Sequence, residues 1–141
     1  AGIITKNTGI PSEPKEGFPQ WAGASNVLPV VTCNPNLPAS QRTTAAWFNK
    51  SCFSQPGVNQ FGSNSDINII RDDGAANLDT TLSKYFKITE QQRLQIRAEF
   101  FNAFNHPLFG APGLTRGTST FGLVTSAGAP RAIEFAVKYE F

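Results

Sequence analysis

The sequence ends with Arg131-Ala-Ile-Glu-Phe-Ala-Val-Lys-Tyr-Glu-Phe141, a stretch in which large apolar side chains alternate without interruption with charged residues or alanine. One set comprises Ile133, Phe135, Val137, Tyr139 and Phe141, and the other comprises Ala132, Glu134, Ala136, Lys138 and Glu140. Successive side chains of a strand point to opposite sides, so the pattern predicts a β-strand over 131–141. About ten tilted residues span a bilayer, so an apolar face opposite a charged one suits a strand between lipid and water.

Alternation alone also fits a strand of a soluble sandwich, and by itself it slightly favours that interpretation. Two further segments alternate, over 77–88 and 93–104, and a short fourth strand is predicted at 120–125. Lys84 is the exception on an otherwise apolar face, and Arg93, Arg97 and Glu99 stand on the polar side. Such charges suit a water-filled lumen and not a packed core, although a soluble sheet could solvate them. The shared apolar face comprises Leu78, Leu82, Phe86, Leu94, Ile96 and Phe100.

Composition excludes several classes of protein. No run of eighteen apolar residues exists, which excludes a transmembrane helix, and the net charge of +2 is not gathered into a patch that would bind nucleic acid. Twelve Phe residues form a heavy aromatic load, while Met is absent. From the missing Met we expect a chain that starts after a processing event or belongs to something longer.

Residues 1–76 are predicted to be an irregular, loop-rich region, distinct from the strand region 77–141. Seven of the ten prolines lie there, and each removes a backbone donor and disfavours a central strand. Cys33 and Cys52 bracket a polar part of this region. In an exported protein we expect one disulfide between them, worth about 3 kcal/mol, the alternative being two free thiols.

The lengths of the connections agree with a barrel topology. If the strand 131–141 runs toward the periplasm, the short turn 89–92 is periplasmic, while 1–76 and 105–130 are extracellular. Short inner turns and long outer loops are typical of outer-membrane barrels. The predicted fold class is therefore all-β. We expect an antiparallel meander of amphipathic strands with long Pro/Gly-rich loops, as part of an outer-membrane-type β-barrel or of an oligomeric β-assembly.

The second half of the chain resembles a known family. The segment from Asn77-Leu-Asp through Leu82-Ser-Lys-Tyr-Phe86 to Arg93-Leu-Gln-Ile-Arg-Ala-Glu-Phe-Phe-Asn-Ala-Phe-Asn-His-Pro-Leu-Phe-Gly110 is similar to the C-terminal end of TonB-dependent receptors. The Oar-like group, with its carboxypeptidase-regulatory domain, is the most similar. The segments 121–127 and 130–141 match the same ending, and Leu37-Pro and Trp47-Phe-Asn49 resemble the part before the strands.

The resemblance implies an outer-membrane transporter with about twenty-two strands, a plug domain and an energy-coupling motif upstream. None of that machinery is encoded in these 141 residues, so we expect no energised transport by this chain alone. The resemblance also implies that the last strand carries the signal read by the barrel assembly machinery. Phe135, Val137, Tyr139 and Phe141 are the side chains expected to form that signal or an assembly interface.

The sequence predicts no enzymatic activity. His106, the only histidine, lies in Asn-His-Pro and is expected to serve a turn, because no nucleophile motif accompanies it. No catalytic residues, cofactor site or metal site are predicted.

Two functions remain open. The first is a segment of an outer-membrane barrel, with membrane lipid and the assembly machinery as partners. The second is a subunit of an extracellular filament or tube, in which copies of the chain satisfy one another's strand edges. A small soluble sandwich is a third, less favoured possibility. The expected location is the bacterial outer membrane or the extracellular surface.

Overall fold

A computed structural model of the chain describes residues 1–17, 27–60, 62 and 69–141. The described residues are rich in strands, and their helices are two short 3-10 turns, Ala39–Gln41 and Lys50–Cys52. Two compact units are present, each built from separate stretches of sequence. The sheet unit comprises Ala1–Thr8, Gly74–Leu108 and Gly128–Phe141, and the loop unit comprises Gly9–Asp73 and Phe109–Ala127.

The ten strands found in the described residues differ greatly in length. The three longest are the predicted ones, shortened or shifted at their ends, because alternating side chains there favour extended backbone. In chain order the strands are β1 Gly2–Lys6, β2 Pro11–Ser12, β3 Lys15–Glu16, β4 Val30–Val31, β5 Phe53–Ser54, β6 Ile70–Arg71, β7 Ala76–Lys87, β8 Arg93–Phe101, β9 Thr115–Arg116 and β10 Ala132–Glu140.

The sheet unit is a single four-stranded antiparallel sheet with the order β1-β7-β8-β10. A tight turn joins β7 to β8, closed by a hydrogen bond from the Ile88 amide to the Gln92 carbonyl (2.9 Å) and by the Lys87–Glu90 ion pair (2.8 Å). The connections 7–75 and 102–131 both leave and rejoin the sheet at its other end, as the pairs Lys6–Ala76 and Ala132–Phe101 establish.

Two parts of the sequence-based assignment need correction. Residues 1–76 are not irregular throughout, because Gly2–Lys6 forms β1 and pairs with β7. Residues 120–125 do not form a strand: they follow a series of turns, with one isolated bridge from Phe121 to Gly113. The reason is the backbone at Gly117 and Gly122, whose φ angles of 88° and 74° lie in the left-handed region that interrupts extended structure.

The loop unit holds the hydrophobic core, although its strands are only two residues long. The core residues are Trp47, Phe48, Cys52, Phe53, Ile70, Phe121 and Val124. Phe48, Phe53 and Phe121 stack edge to face, with ring centroids 5.1 to 5.6 Å apart. The disulfide between Cys33 and Cys52 is present, as expected from the sequence, and ties the core to the surface.

A buried ion pair joins β3 and β9 within the loop unit. The guanidinium of Arg116 donates to both carboxylate oxygens of Glu16, at 3.1 and 3.2 Å, and to the carbonyl of Phe53 at 3.3 Å. The Glu16 side chain is only 1% exposed. Full pairing of this kind is what permits a carboxylate to be buried.

Candidate functional site

The principal surface of the sheet unit is its apolar face. The strand register places most apolar residues of one strand directly opposite apolar residues of the next strand, so that they form rows across the sheet. Phe135, Val137 and Leu82 expose 77%, 69% and 62% of their surface, so this face is not a packed core. From the tight turn outward, its rows are Phe86 with Leu94 and Tyr139; Lys84 with Ile96 and Val137; Leu82 with Ala98 and Phe135; Gly2 with Thr80, Phe100 and Ile133; and Ile4 with Leu78.

The six apolar residues predicted on strands 77–88 and 93–104 all lie on this face. Of the four residues predicted as an assembly signal or interface, Phe135, Val137 and Tyr139 share it, and Phe141 follows β10. Ile4 completes the face from β1. Sequence reasoning missed Ile4, because the five residues of β1 are too few to show a periodic pattern.

Aromatic side chains border this face near the tight turn. Phe86 and Tyr139 flank Leu94 in the row next to the turn, and the rings of Tyr139 and Phe141 lie 6.0 Å apart. Phe141 is 95% exposed. Aromatic rings at the border of an apolar band are typical of strands that cross a membrane interface.

The opposite face is polar and carries charges on all three long strands. Its rows pair Lys87 with Arg93 and Glu140; Tyr85 with Gln95 and Lys138; Ser83 with Arg97 and Ala136; and Thr81 with Glu99 and Glu134. Two ion pairs run along individual strands, Arg97 to Glu99 at 3.7 Å and Lys138 to Glu140 at 2.8 Å. Such a face suits contact with water.

The sheet is open. The strands β1 and β10 are its outer strands, and each pairs with a single neighbour among the described residues. Outer strands present unpaired N–H and C=O groups, which favours the addition of further strands at both sides.

A compact turn ends β8 at the end of the sheet opposite the tight turn. Asn102, buried and with φ of 49°, donates from its side chain to the His106 carbonyl and accepts from the His106 amide, both at 3.0 Å. The Asn102 amide in turn donates to the Asp79 carboxylate at 2.9 Å. His106 contacts the Asn102 side chain through the main-chain groups of His106, which is typical of a residue in a turn.

Other kinds of site are not found in the described residues. They include no cluster of three or more His, Cys, Asp or Glu side chains that could hold a metal ion. They also contain no helix with the length and apolar character that crossing a membrane requires.

The chain matches the model of a known protein family. The model of the family described as "Outer membrane beta barrel domain" matches residues 1–134, nearly the whole chain. No protein of curated function and no solved structure matches the chain.

Proposed function

This chain belongs to the outer membrane beta barrel domain family and so is an outer-membrane protein, and from that premise we propose that it supplies the closing strands of a TonB-dependent-receptor-like barrel. The role is non-enzymatic. The apolar face contacts lipid, the polar face lines the lumen, and the loop unit is extracellular. Membrane lipid and the barrel assembly machinery are the partners.

The observation that carries this proposal is that the apolar rows all lie on one face of the four-stranded sheet. From the Phe86 row to the Ile4 row the strand length is eight residues, or about 27 Å. At the usual tilt of about 40° this corresponds to about 20 Å of membrane depth, close to the band of about 25 Å that such barrels present to lipid.

The connections support the same orientation. One end of the sheet has only the tight turn between β7 and β8, and the other end has both long connections. Barrels of the outer membrane place short turns in the periplasm and long loops outside. The receptor-like identity rests further on the resemblance of residues 77–110, whose Phe-Asn-Ala-Phe-Asn-His-Pro segment forms the compact turn after β8.

The test is single-cysteine scanning of β10 with the chain refolded in detergent micelles, using spin labels at residues 134–138. The native disulfide occupies both natural cysteines. We expect labels at Phe135 and Val137 to be accessible to oxygen, which partitions into the apolar phase. Labels at Glu134, Ala136 and Lys138 should instead be accessible to a water-soluble nickel complex. Absence of this two-residue period would overturn the lipid-facing assignment.

A filament or tube subunit is the second candidate, favoured by the two outer strands. β1 and β10 run in opposite directions, so β10 of one copy can pair antiparallel with β1 of the next. Repetition would bury the unpaired backbone groups, and the apolar faces would contact other copies. Electron microscopy in detergent-free buffer tests this: regular filaments favour this candidate, and aggregates that dissolve only in detergent exclude it.

A further inference from the structure

Lys84 is the one charged side chain within the five apolar rows. It lies one row, about 7 Å along the strand, inside the row of Phe86 and Tyr139. Its ammonium group lies over the Phe86 ring, 5.4 Å from the centroid, and pairs with no carboxylate in the described part of the chain. A cation on a lipid-facing surface is costly unless it reaches a polar partner at the interface.

A shallow groove surrounds this cation. Its volume is about 350 Å³, and its lining includes Leu82, Phe86, Ile96 and Ala98 besides Lys84. Ala98 is the smallest residue of the lining, and it lies beside Leu82 in the middle row. The lining is mainly apolar, and the ammonium group of Lys84 places a positive charge over the Phe86 ring.

We propose that this groove binds an anionic phospholipid of the leaflet on the tight-turn side. The phosphate pairs with the ammonium group of Lys84, and the upper part of one acyl chain lies over Ala98 between Leu82 and Ile96. A lysine stem is long enough to carry its charge from the apolar band to the level of the head groups. The inference rests on the proposed function, since it requires the apolar face to contact lipid.

Native mass spectrometry of the full chain, released from micelles doped with phosphatidylglycerol or phosphatidylcholine, tests the proposal. We expect wild type to retain phosphatidylglycerol preferentially, Lys84→Gln to retain about fivefold less, and Lys84→Arg to retain it as wild type does. Lys138→Gln is the matched control, because it removes the same charge at a similar depth from the polar face.

The outcomes separate the two proposals. Equal retention of both lipids by wild type, or equal loss in Lys84→Gln and Lys138→Gln, overturns the lipid site. Spin labels on β10 in the same micelles report independently on the lipid-facing assignment. If the two-residue period is present without lipid preference, only the Lys84 site fails; if the period is absent, both proposals fail.

Discussion

Glu99 on β8 lies directly opposite Glu134 on β10, so two carboxylates occupy one cross-strand position of the polar face. On its other side Glu99 faces the uncharged Thr81. Arg97, two residues earlier on β8, lies 3.7 Å from Glu99 and offsets part of the repulsion. Like charges placed directly opposite destabilise a sheet, so this pair weakens the contact between the last two long strands.

Glu134→Gln is expected to raise the free energy of unfolding by a few tenths of a kcal/mol, up to about 1 kcal/mol, because it removes that repulsion. Urea unfolding in micelles measures the change. Glu140→Gln is the control, since Glu140 already pairs with Lys138 at 2.8 Å and its loss should bring no gain. A lower stability for Glu134→Gln would show that its carboxylate has a favourable partner.

Phe135→Arg is expected to destabilise the membrane-inserted state by about 2–4 kcal/mol, because Phe135 lies in the middle row of the apolar face. Ala136→Arg places the same charge on the neighbouring residue of the polar face, where it lies opposite Arg97, and should cost at most about 1 kcal/mol. Urea unfolding in micelles compares the two variants. Equal effects would contradict the assignment of one face to lipid and the other to water.

Replacing both Cys33 and Cys52 by Ser is expected to destabilise the loop unit by about 3 kcal/mol, because the disulfide restricts its unfolded chain. Limited proteolysis should then cleave the loop unit faster and leave the sheet unit unchanged. A reducing agent should reproduce this effect on wild type and add nothing in the double variant. An unchanged rate of cleavage would mean that the aromatic core holds the loop unit folded without the disulfide.

Asn102→Ala is expected to cost about 2 kcal/mol, because it removes two hydrogen bonds to His106 and places Ala in the left-handed conformation. Asn102→Gly relieves the backbone strain but does not restore the two hydrogen bonds. Its free energy of unfolding should therefore lie between those of Asn102→Ala and wild type. His106→Ala leaves both main-chain bonds possible and should be nearly neutral. A large loss of stability in His106→Ala would assign its imidazole a role beyond the turn.

Phe141→Ala is expected to slow assembly into the outer membrane, because it removes a fully exposed ring from the aromatic border near the tight turn. Pulse-chase appearance of the heat-modifiable folded form measures the rate in cells. Glu140→Ala, on the polar face, is the control and should assemble at the wild-type rate. Unchanged assembly of Phe141→Ala would contradict its role in the assembly signal.

Local alternation accounts for what the sequence predicts well. Large apolar residues of β10 alternate with charged residues or alanine, so the strand 132–140 follows from the amino-acid sequence alone. The same holds for the six apolar residues of β7 and β8. The pairing of Ile4 with Leu78 is different, because it joins residues more than seventy positions apart and leaves no local pattern.

The core of the loop unit could not be predicted from the sequence, for a related reason. Phe48, Phe53 and Phe121 come from segments without a helical or strand period, and they meet only through distant folding of the chain. The prediction of a strand at 120–125 is wrong because the left-handed backbone of Gly122 turns the chain within that segment.

The long connection between β1 and β7 has its two ends fastened together. The Asn7 amide donates to the Ala75 carbonyl, and the Ala75 amide donates to the Asn7 side chain, both at 2.9 Å. The connection between these residues is thus an excursion that leaves and returns at one point of the sheet, so its length does not affect the pairing of β1 with β7. Evolution can lengthen or shorten such an excursion without altering the pairing of β1 with β7, and a designer could insert a foreign binding loop between Asn7 and Ala75 for display on a cell surface.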